Sequence, residues 1–295
     1  MSAALRHLAR TCGVVGAFVG GALSAQQLAQ CEGAPTSLSK KDFRNFTVLQ
    51  VKKLSSDTAK IVVALPSPDH VLGIETASCL SIAAEINGET VGRPYTPIST
   101  VGQTGTAEFV VKAYPARTDG KPGGMGAHLC GLSAGDTIKM KGPWKKFGYV
   151  ANKYKRVGLI AGGTGLTPML QVIQEILFNP ADATTVTLLY ANRSEDDILL
   201  RDRLDALASL YPTRFNVVYT LDSCDAGWRG ERGFVTPAMV EKHMPAASET
   251  TKVMVCGPPP MMKAVSGNKT PKKKQGELSG ALKAAGFTKS MVFKF

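Results

Sequence analysis

From residue 156 onward the chain alternates short apolar runs with amphipathic stretches, a rhythm that few architectures accept. Residues 157–161 are continuously apolar, as a strand buried on both faces requires. Thr167 suits a helix cap and Pro168 a helix start, and Met169, Val172, Ile173, Ile176 and Leu177 then share one helical face. Apolar runs at 186–191, 215–221 and 253–256, a helical stretch predicted at 195–210 and a Thr236-Pro237 helix start continue the alternation. Such a chain folds as a parallel sheet covered on both faces, and ligands bind beyond the carboxyl ends of its strands. Gly162-Gly163-Thr164-Gly165, Asp222 and Cys256-Gly257-Pro258-Pro259-Pro260-Met261 all fall at such ends.

Between residues 43 and 143 the pattern changes to short β-branched and aromatic runs at 46–51, 60–65, 81–86, 93–99, 107–114 and 137–140, separated by turn residues. Strands at this spacing predict an antiparallel barrel. Within it, Arg93-Pro94-Tyr95-Thr96-Pro97-Ile98-Ser99 combines a fixed cation, an aromatic hydroxyl and small hydroxyls with two prolines. Proline removes a ladder donor, so this stretch belongs on a sheet edge, facing a large, planar, anionic ligand. The run Lys121-Pro122-Gly123-Gly124-Met125-Gly126-Ala127-His128-Leu129 looks like a glycine loop opening a short helix, where free N–H groups favour phosphate.

The whole chain of 295 residues accommodates about two domains, and 44% apolar content rules out a disordered protein. The boundaries we expect are 1–38 for a targeting or anchor segment and linker, 39–150 for the barrel and 151–295 for the α/β domain. The net charge of +12 is spread along the chain, and no nucleic-acid-binding motif accompanies it. The six cysteines show neither paired metal-ligand spacing nor a disulfide framework, and the four histidines form no recognisable nucleophile, metal or acid-base arrangement. Chemistry carried by an organic cofactor is the expectation that remains. We expect no metal site and a monomer.

Residues 1–31 contain Arg6, His7 and Arg10, no acid, and an apolar stretch diluted by Gly16, Gly20 and Gly21. This is a targeting or anchoring segment, and the residues alone leave a weak anchor and a cleaved presequence both open. Mitochondrial delivery is the expectation, to the outer membrane or intermembrane space, with the endoplasmic reticulum membrane as the alternative.

The ordered set Arg-x-Tyr-Thr at 93–96, Gly-Gly-Thr-Gly-Leu-Thr-Pro-Met at 162–169 and Cys-Gly-Pro-Pro-Pro-Met at 256–261 resembles the ferredoxin reductase-like flavoenzymes, and within them the NADH-cytochrome b5 reductase family in its mitochondrial form. The resemblance runs from about residue 42 to the C-terminus. It implies an antiparallel FAD-binding β-barrel followed by a parallel-sheet NADH-binding domain, with FAD and NADH as cofactors. By resemblance, Arg93 pairs with the FAD pyrophosphate, Tyr95 meets the ribityl and ring, Thr96 sits near the reactive nitrogen, and Pro94 belongs to the same edge. Val111, Lys112 and Tyr114 match the next flavin-facing strand, with Lys112 also helping to hold NADH. Gly124, Met125 and Gly126 cradle phosphate, although the family usually has serine where this chain has Gly126. Thr167 closes the flavin site, while Gly163, Thr164 and Gly165 with Cys256, Gly257, Pro258, Pro259 and Met261 form the nicotinamide slot. Cys256 is expected to position the nicotinamide rather than act as a nucleophile, since no base is paired with it. Asp222 matches the acid that selects NADH. The resemblance implies hydride transfer from NADH to FAD and single-electron release to cytochrome b5 or a similar haem protein. A quinone, ferredoxin or flavodoxin acceptor is the alternative within enzymes; a non-catalytic, membrane-tethered nucleotide-binding protein is the alternative outside them.

Overall fold

The computed structural model describes residues 33–114 and 124–295. The expectations for residues 1–32, and for Lys121, Pro122 and Gly123 in the glycine loop, lie outside the described residues.

Side chains that alternate between core and solvent build six strands in the first half: β1 (Arg44–Lys53), β2 (Thr58–Ala64), β3 (Ser78–Ile86), β4 (Glu89–Tyr95), β5 (Thr106–Lys112) and β6 (Thr137–Lys145). Along β1, Phe46 and Val48 point inward while Asn45 and Thr47 face out. The strands pair antiparallel in the order β4-β3-β6-β1-β2-β5 and curl into a half-barrel. One end of its core is closed by the short helix α1 (Met125–Cys130), which contributes Met125 and Leu129.

As expected for a proline-bearing stretch, β4 is an edge strand. It ends at Tyr95, however, and residues 96–99, predicted as strand, leave the ladder. Pro97 has no N–H to continue pairing, and the stretch takes other partners. The Ile98 N–H donates to the Glu108 carbonyl at 2.8 Å, linking the chain beyond β4 to β5.

The second half contains β7 (Arg156–Gly162), α2 (Leu166–Phe178), β8 (Thr185–Asn192), α3 (Arg201–Leu210), β9 (Phe215–Leu221), β10 (Glu231–Arg232), α4 (Pro237–His243), β11 (Thr251–Cys256), α5 (Pro259–Ser266), α6 (Gly280–Ala284) and β12 (Val292–Lys294). All pairings are parallel, in the order β10-β9-β8-β7-β11-β12. Neighbouring residues feed opposite faces. Leu159 and Leu188 join Met169, Ile173 and Leu204 on one side, while Ile160 and Leu189 join Val240, Val265 and Leu282 on the other.

Two local expectations are corrected. The single helix predicted over 195–210 is a 3-10 turn at Glu195–Asp197 followed by α3, because Ile198 and Leu199 turn into the core and Leu200 takes a left-handed φ of 58°. Thr167 does not cap α2; it lies within the helix and donates back to the Thr164 carbonyl at 3.2 Å. The Thr236 cap forms as expected, accepting the Met239 N–H at 3.2 Å ahead of Pro237.

Helix α2 joins the two units through polar residues that a one-faced amphipathic reading would leave in solvent. The Gln171 amide donates to the Pro97 carbonyl at 3.2 Å and accepts the Ser78 N–H at 3.2 Å. Gln174 donates to the Ile98 carbonyl at 3.4 Å, and the Thr76 hydroxyl donates to Glu175 at 2.6 Å. Gln171 is only 2% exposed, so these bonds have little competition from water. Gln171→Leu should keep the volume but strand one donor and one acceptor, costing roughly 1–3 kcal/mol for each group left unpaired. Urea unfolding of the FAD-loaded protein checks this, and wild-type stability in the variant would show that Gln171 does not hold the seam.

Candidate active site

The chain leaves β7 toward β8 on one side and returns as β11 on the other, so the carboxyl ends of β7 and β11 flank a topological switch point. A crevice at such a point is where an open α/β sheet binds its ligand. The two glycine-rich motifs meet there. Gly163–Gly165 forms a 3-10 turn directly after β7, and Cys256, Gly257 and Pro258 lead from β11 into α5.

The glycines serve two separate ends. A Cβ on Gly165 would overlap the Cys256 carbonyl, and one on Gly162 would lie 2.5 Å from the Met261 sulfur and 2.9 Å from Pro258, so these positions let the motifs interlock. Gly163 has a φ of +52° and nothing within 4 Å of where its Cβ would project. Its backbone therefore faces open space, with its carbonyl held by the Tyr190 hydroxyl at 3.0 Å. Burial pushes the Cys256 thiol up to about 12, which keeps it protonated near neutral pH and argues against a nucleophile.

On the barrel side, Arg93 and Tyr95 lie on β4 with Pro94 between them, and Thr96 follows the strand. The Arg93 guanidinium reaches back to the Gly92 carbonyl at 2.8 Å. Burial raises the Tyr95 hydroxyl well above its ordinary pKa, keeping it a neutral donor. Val111 points into the barrel core, so a ligand can meet it only through its main chain. Tyr114 crosses to the other unit: its hydroxyl lies 2.8 Å from the Thr164 hydroxyl in the glycine turn. Gly124, with a φ of 81°, opens α1, and Gly126 packs so closely that a Cβ would overlap the Lys112 carbonyl. The absent serine is thus a steric requirement of this chain.

Lys112 is already engaged. Its ammonium lies 3.1 Å from Asp57 and 2.8 Å from Asp197, and Arg193 reaches the same two carboxylates at 3.2 and 3.1 Å. Burial pushes Asp197 upward, but hydrogen bonds from Lys112, Arg193 and Ser194 outweigh it and hold the carboxyl down to about 2. Sequence reasoning missed Asp57, Arg193 and Asp197. Asp57 and Arg193 are 136 positions apart and belong to no glycine motif, so only the fold shows that they meet.

Asp222 sits just beyond β9, its N–H donating to the Asn192 carbonyl at 3.0 Å and its carboxylate at the surface. Of the nearby cations, Arg232 is spoken for: it donates to the carbonyls of Asp225, Ala226 and Trp228 at 3.0–3.2 Å and holds that loop shut. Burial raises the Asp222 carboxyl above its ordinary value, and the charge of Arg193, which the sequence did not single out, partly opposes that. Phe234 was also missed; it is 76% exposed and follows Gly233, whose N–H donates to the Leu221 carbonyl at 2.8 Å. Among the described residues no cluster of side chains could hold a metal ion.

A half-barrel with a cationic, hydroxyl-bearing edge, bridged to a parallel sheet whose switch point is lined with glycine, defines a ferredoxin reductase-like flavoprotein. Residues 45–149 match the oxidoreductase FAD-binding domain family and residues 159–267 the oxidoreductase NAD-binding domain family. The chain is 45% identical over 243 residues to the NADH-cytochrome b5 reductase 2 of Scheffersomyces stipitis, covering 82% of this chain and 80% of that protein. It is 40% identical over 269 residues to an NADH-cytochrome b5 reductase-like protein of Arabidopsis thaliana, covering 89% and 80%. Its fold superposes with a TM-score of 0.77, at 33% identity, on the cytochrome b5 reductase domain of Ulva prolifera nitrate reductase, covering 88% of this chain and 99% of that one. The chain belongs to the NADH-cytochrome b5 reductase family, and its cofactors are FAD and NADH. The open backbone at Gly163 and the edge position of β4 suit ligands of this size and charge.

Gly126→Ser would restore the family's usual residue but press a side chain onto strand backbone. The expected outcome is a destabilisation of about 1–3 kcal/mol, with no gain in FAD retention. Thermal melts with and without added FAD check it, and a variant with unchanged melting and tighter flavin would show that the hydroxyl is accommodated.

Proposed function

We propose that this chain takes electrons from NADH through FAD to cytochrome b5 or a similar haem protein, acting as a monomer. The observation that supports this best is the Tyr114 to Thr164 contact at 2.8 Å, which sets the segment just past β5, the strand proposed to face the flavin and ending at Lys112 rather than 114, against the turn proposed to face the nicotinamide. Hydride transfer needs the two ligands side by side. Bound FAD supplies the chemistry, accepting a hydride from NADH and releasing electrons singly.

The chain's own residues bind and orient. Arg93 offers charge-assisted hydrogen bonds to the pyrophosphate, and the N–H groups at Gly124, Met125 and Gly126 add neutral donors. Tyr95 and Thr96 line the ring, with the backbone of Val111 and with Thr167 from the second unit. Gly163, Thr164, Gly165, Cys256, Gly257, Pro258, Pro259 and Met261 form the nicotinamide slot. Lys112, fixed between two carboxylates, acts by orienting the seam and by its positive field. Asp222 accepts hydrogen bonds from the adenosine ribose, and Phe234 offers the adenine a flat apolar face.

The names of the relatives support the haem-protein acceptor. The apolar stretch within residues 1–31 supports a membrane tether, and the early arginines and absent acids favour the mitochondrial outer membrane or intermembrane space over the endoplasmic reticulum. Among the described residues no helix is long and apolar enough to cross a membrane. The test is an absorption experiment: NADH should bleach the flavin bands, and added cytochrome b5 should then be reduced. Bleaching without reduction of the haem would move the acceptor to a quinone, ferredoxin or flavodoxin.

Nucleotide preference gives a second check. The 2′-phosphate of NADPH would bring like charge against Asp222, a juxtaposition that costs several kcal/mol at an interface. Arg232 is held by loop carbonyls and Arg193 by the Asp57 and Asp197 carboxylates, so offsetting that charge falls to the exposed Arg229. Wild type should strongly prefer NADH in kcat/KM. Asp222→Thr should narrow that ratio, mainly through better use of NADPH; a ratio unmoved by the substitution would assign Asp222 to its turn alone.

A further inference from the structure

The outward face of the half-barrel carries cations that the reaction does not use. On β6, Lys139 and Lys141 flank the buried Met140, so both point away from the core. Lys139 lies opposite Asn45 of β1 and Ala83 of β3, in mid-sheet. The Ser39 carbonyl accepts the Gly142 N–H at 3.0 Å, which lays Lys40 and Lys41 beside the same strand. Phe43, 44% exposed, has the Lys141 ammonium 5.7 Å from its ring centre. Asp42 is the one carboxylate in the stretch 39–45. Three other lysines of this unit are neutralised: Lys60 faces Glu108, Lys112 faces Asp57 and Lys145 faces Glu75. Among the described residues Lys40, Lys41, Lys139 and Lys141 form no ion pair.

This face is also where the chain enters the fold. The N–H groups of Ser37 and Leu38 donate to the carbonyls of Val71 and Leu72 at 3.0 and 3.2 Å, fixing the root of the preceding segment. An extended chain advances at most ~3.3–3.6 Å per residue. Lys40 and Lys41 are therefore held within a few nanometres of wherever residue 32 lies. Lysines next to a membrane-associated segment are drawn to anionic headgroups, and aromatic rings settle at the headgroup level.

We infer that Lys40, Lys41, Phe43, Lys139 and Lys141 form a surface that rests on anionic lipid, orienting the half-barrel on the membrane. The inference rests on the tethering proposed above, and the two are separable by experiment. The lysines meet lipid phosphate or carboxylate groups, Phe43 contributes apolar contact, and none of the five lies among the residues proposed to hold FAD or NADH. Because exposed charges are screened within ~8 Å at physiological ionic strength, the attraction should fade with added salt.

The experiment is flotation of the full, FAD-loaded chain with phosphatidylcholine vesicles, with and without phosphatidylserine. Wild type is compared with two double variants, Lys40→Ala with Lys41→Ala and Lys139→Ala with Lys141→Ala. Phosphatidylserine should strengthen wild-type binding in a salt-sensitive way, and each double variant should lose roughly ten- to thirtyfold of binding to those vesicles. Binding to phosphatidylcholine alone and NADH–ferricyanide turnover should be unchanged. Equal binding of wild type to both vesicles, or variants indistinguishable from wild type, overturns the inference. Loss of neutral-vesicle binding with phosphatidylserine dependence intact would remove the tether and leave this surface standing. Variants that reduce cytochrome b5 slowly while floating normally would make the face a dock for an acidic protein, which also overturns it.

Discussion

Helix α2 has to satisfy two sheets at once, and the rest of the molecule follows from that demand. Its apolar side, with Met169, Val172, Ile173 and Ile176, packs on the parallel sheet. Its Gln171 and Gln174 amides reach the barrel backbone at Pro97 and Ile98, which is free for this because Pro97 has stopped β4 from continuing as strand. The same proline-rich stretch thus carries the residues proposed to meet the flavin and the carbonyls that lock the units together. A buried glutamine without partners would be costly, so the relative placement of the units is specified by hydrogen bonds with direction and not only by apolar area.

Much of this was legible in the sequence, and the parts that were not share a cause. The apolar run 157–161 and the helical face from Met169 to Leu177 announce a buried strand and a packed helix because burial on both faces leaves a periodic trace. The prolines at 94 and 97 place β4 at an edge for the same local reason. The turn of Ile198 and Leu199 into the core left no such trace; the stretch 195–210 keeps a helical pattern, and tertiary packing overrode it. Gln171 was invisible as a seam residue since polar side chains on a helix usually mean solvent. At Gly126 the motif suggested a lost hydroxyl, whereas the structure shows backbone contact with Lys112, information that lies in the partner strand and not in the loop itself.

The cluster of Lys112, Asp57, Arg193 and Asp197 shows why motif reading captured the lysine but not its surroundings. Lys112 belongs to β5, Asp57 to the turn before β2, and Arg193 and Asp197 to the segment after β8. Each charge alone resembles a surface residue. Together they span both units, with Lys112 and Asp197 largely shielded and Arg193 open to solvent. Pairs of this kind add modest stability when exposed, yet removing one partner of the shielded pair leaves a costly uncompensated charge. The arrangement therefore fixes position more than it adds stability.

Position is what a cofactor-borne reaction asks of its protein. Burial holds the Cys256 thiol protonated, so at the switch point it serves position and not nucleophilic attack. What the residues around it can do is set distance and field. Gly165 brings one motif onto the other, Gly163 leaves backbone exposed, Tyr114 ties the barrel to that turn, and the Lys112 cluster holds the two sheets in register. Hydride transfer falls off steeply when donor and acceptor are misplaced, so a site made of close backbone packing and directed hydrogen bonds is better suited to it than one made of reactive side chains.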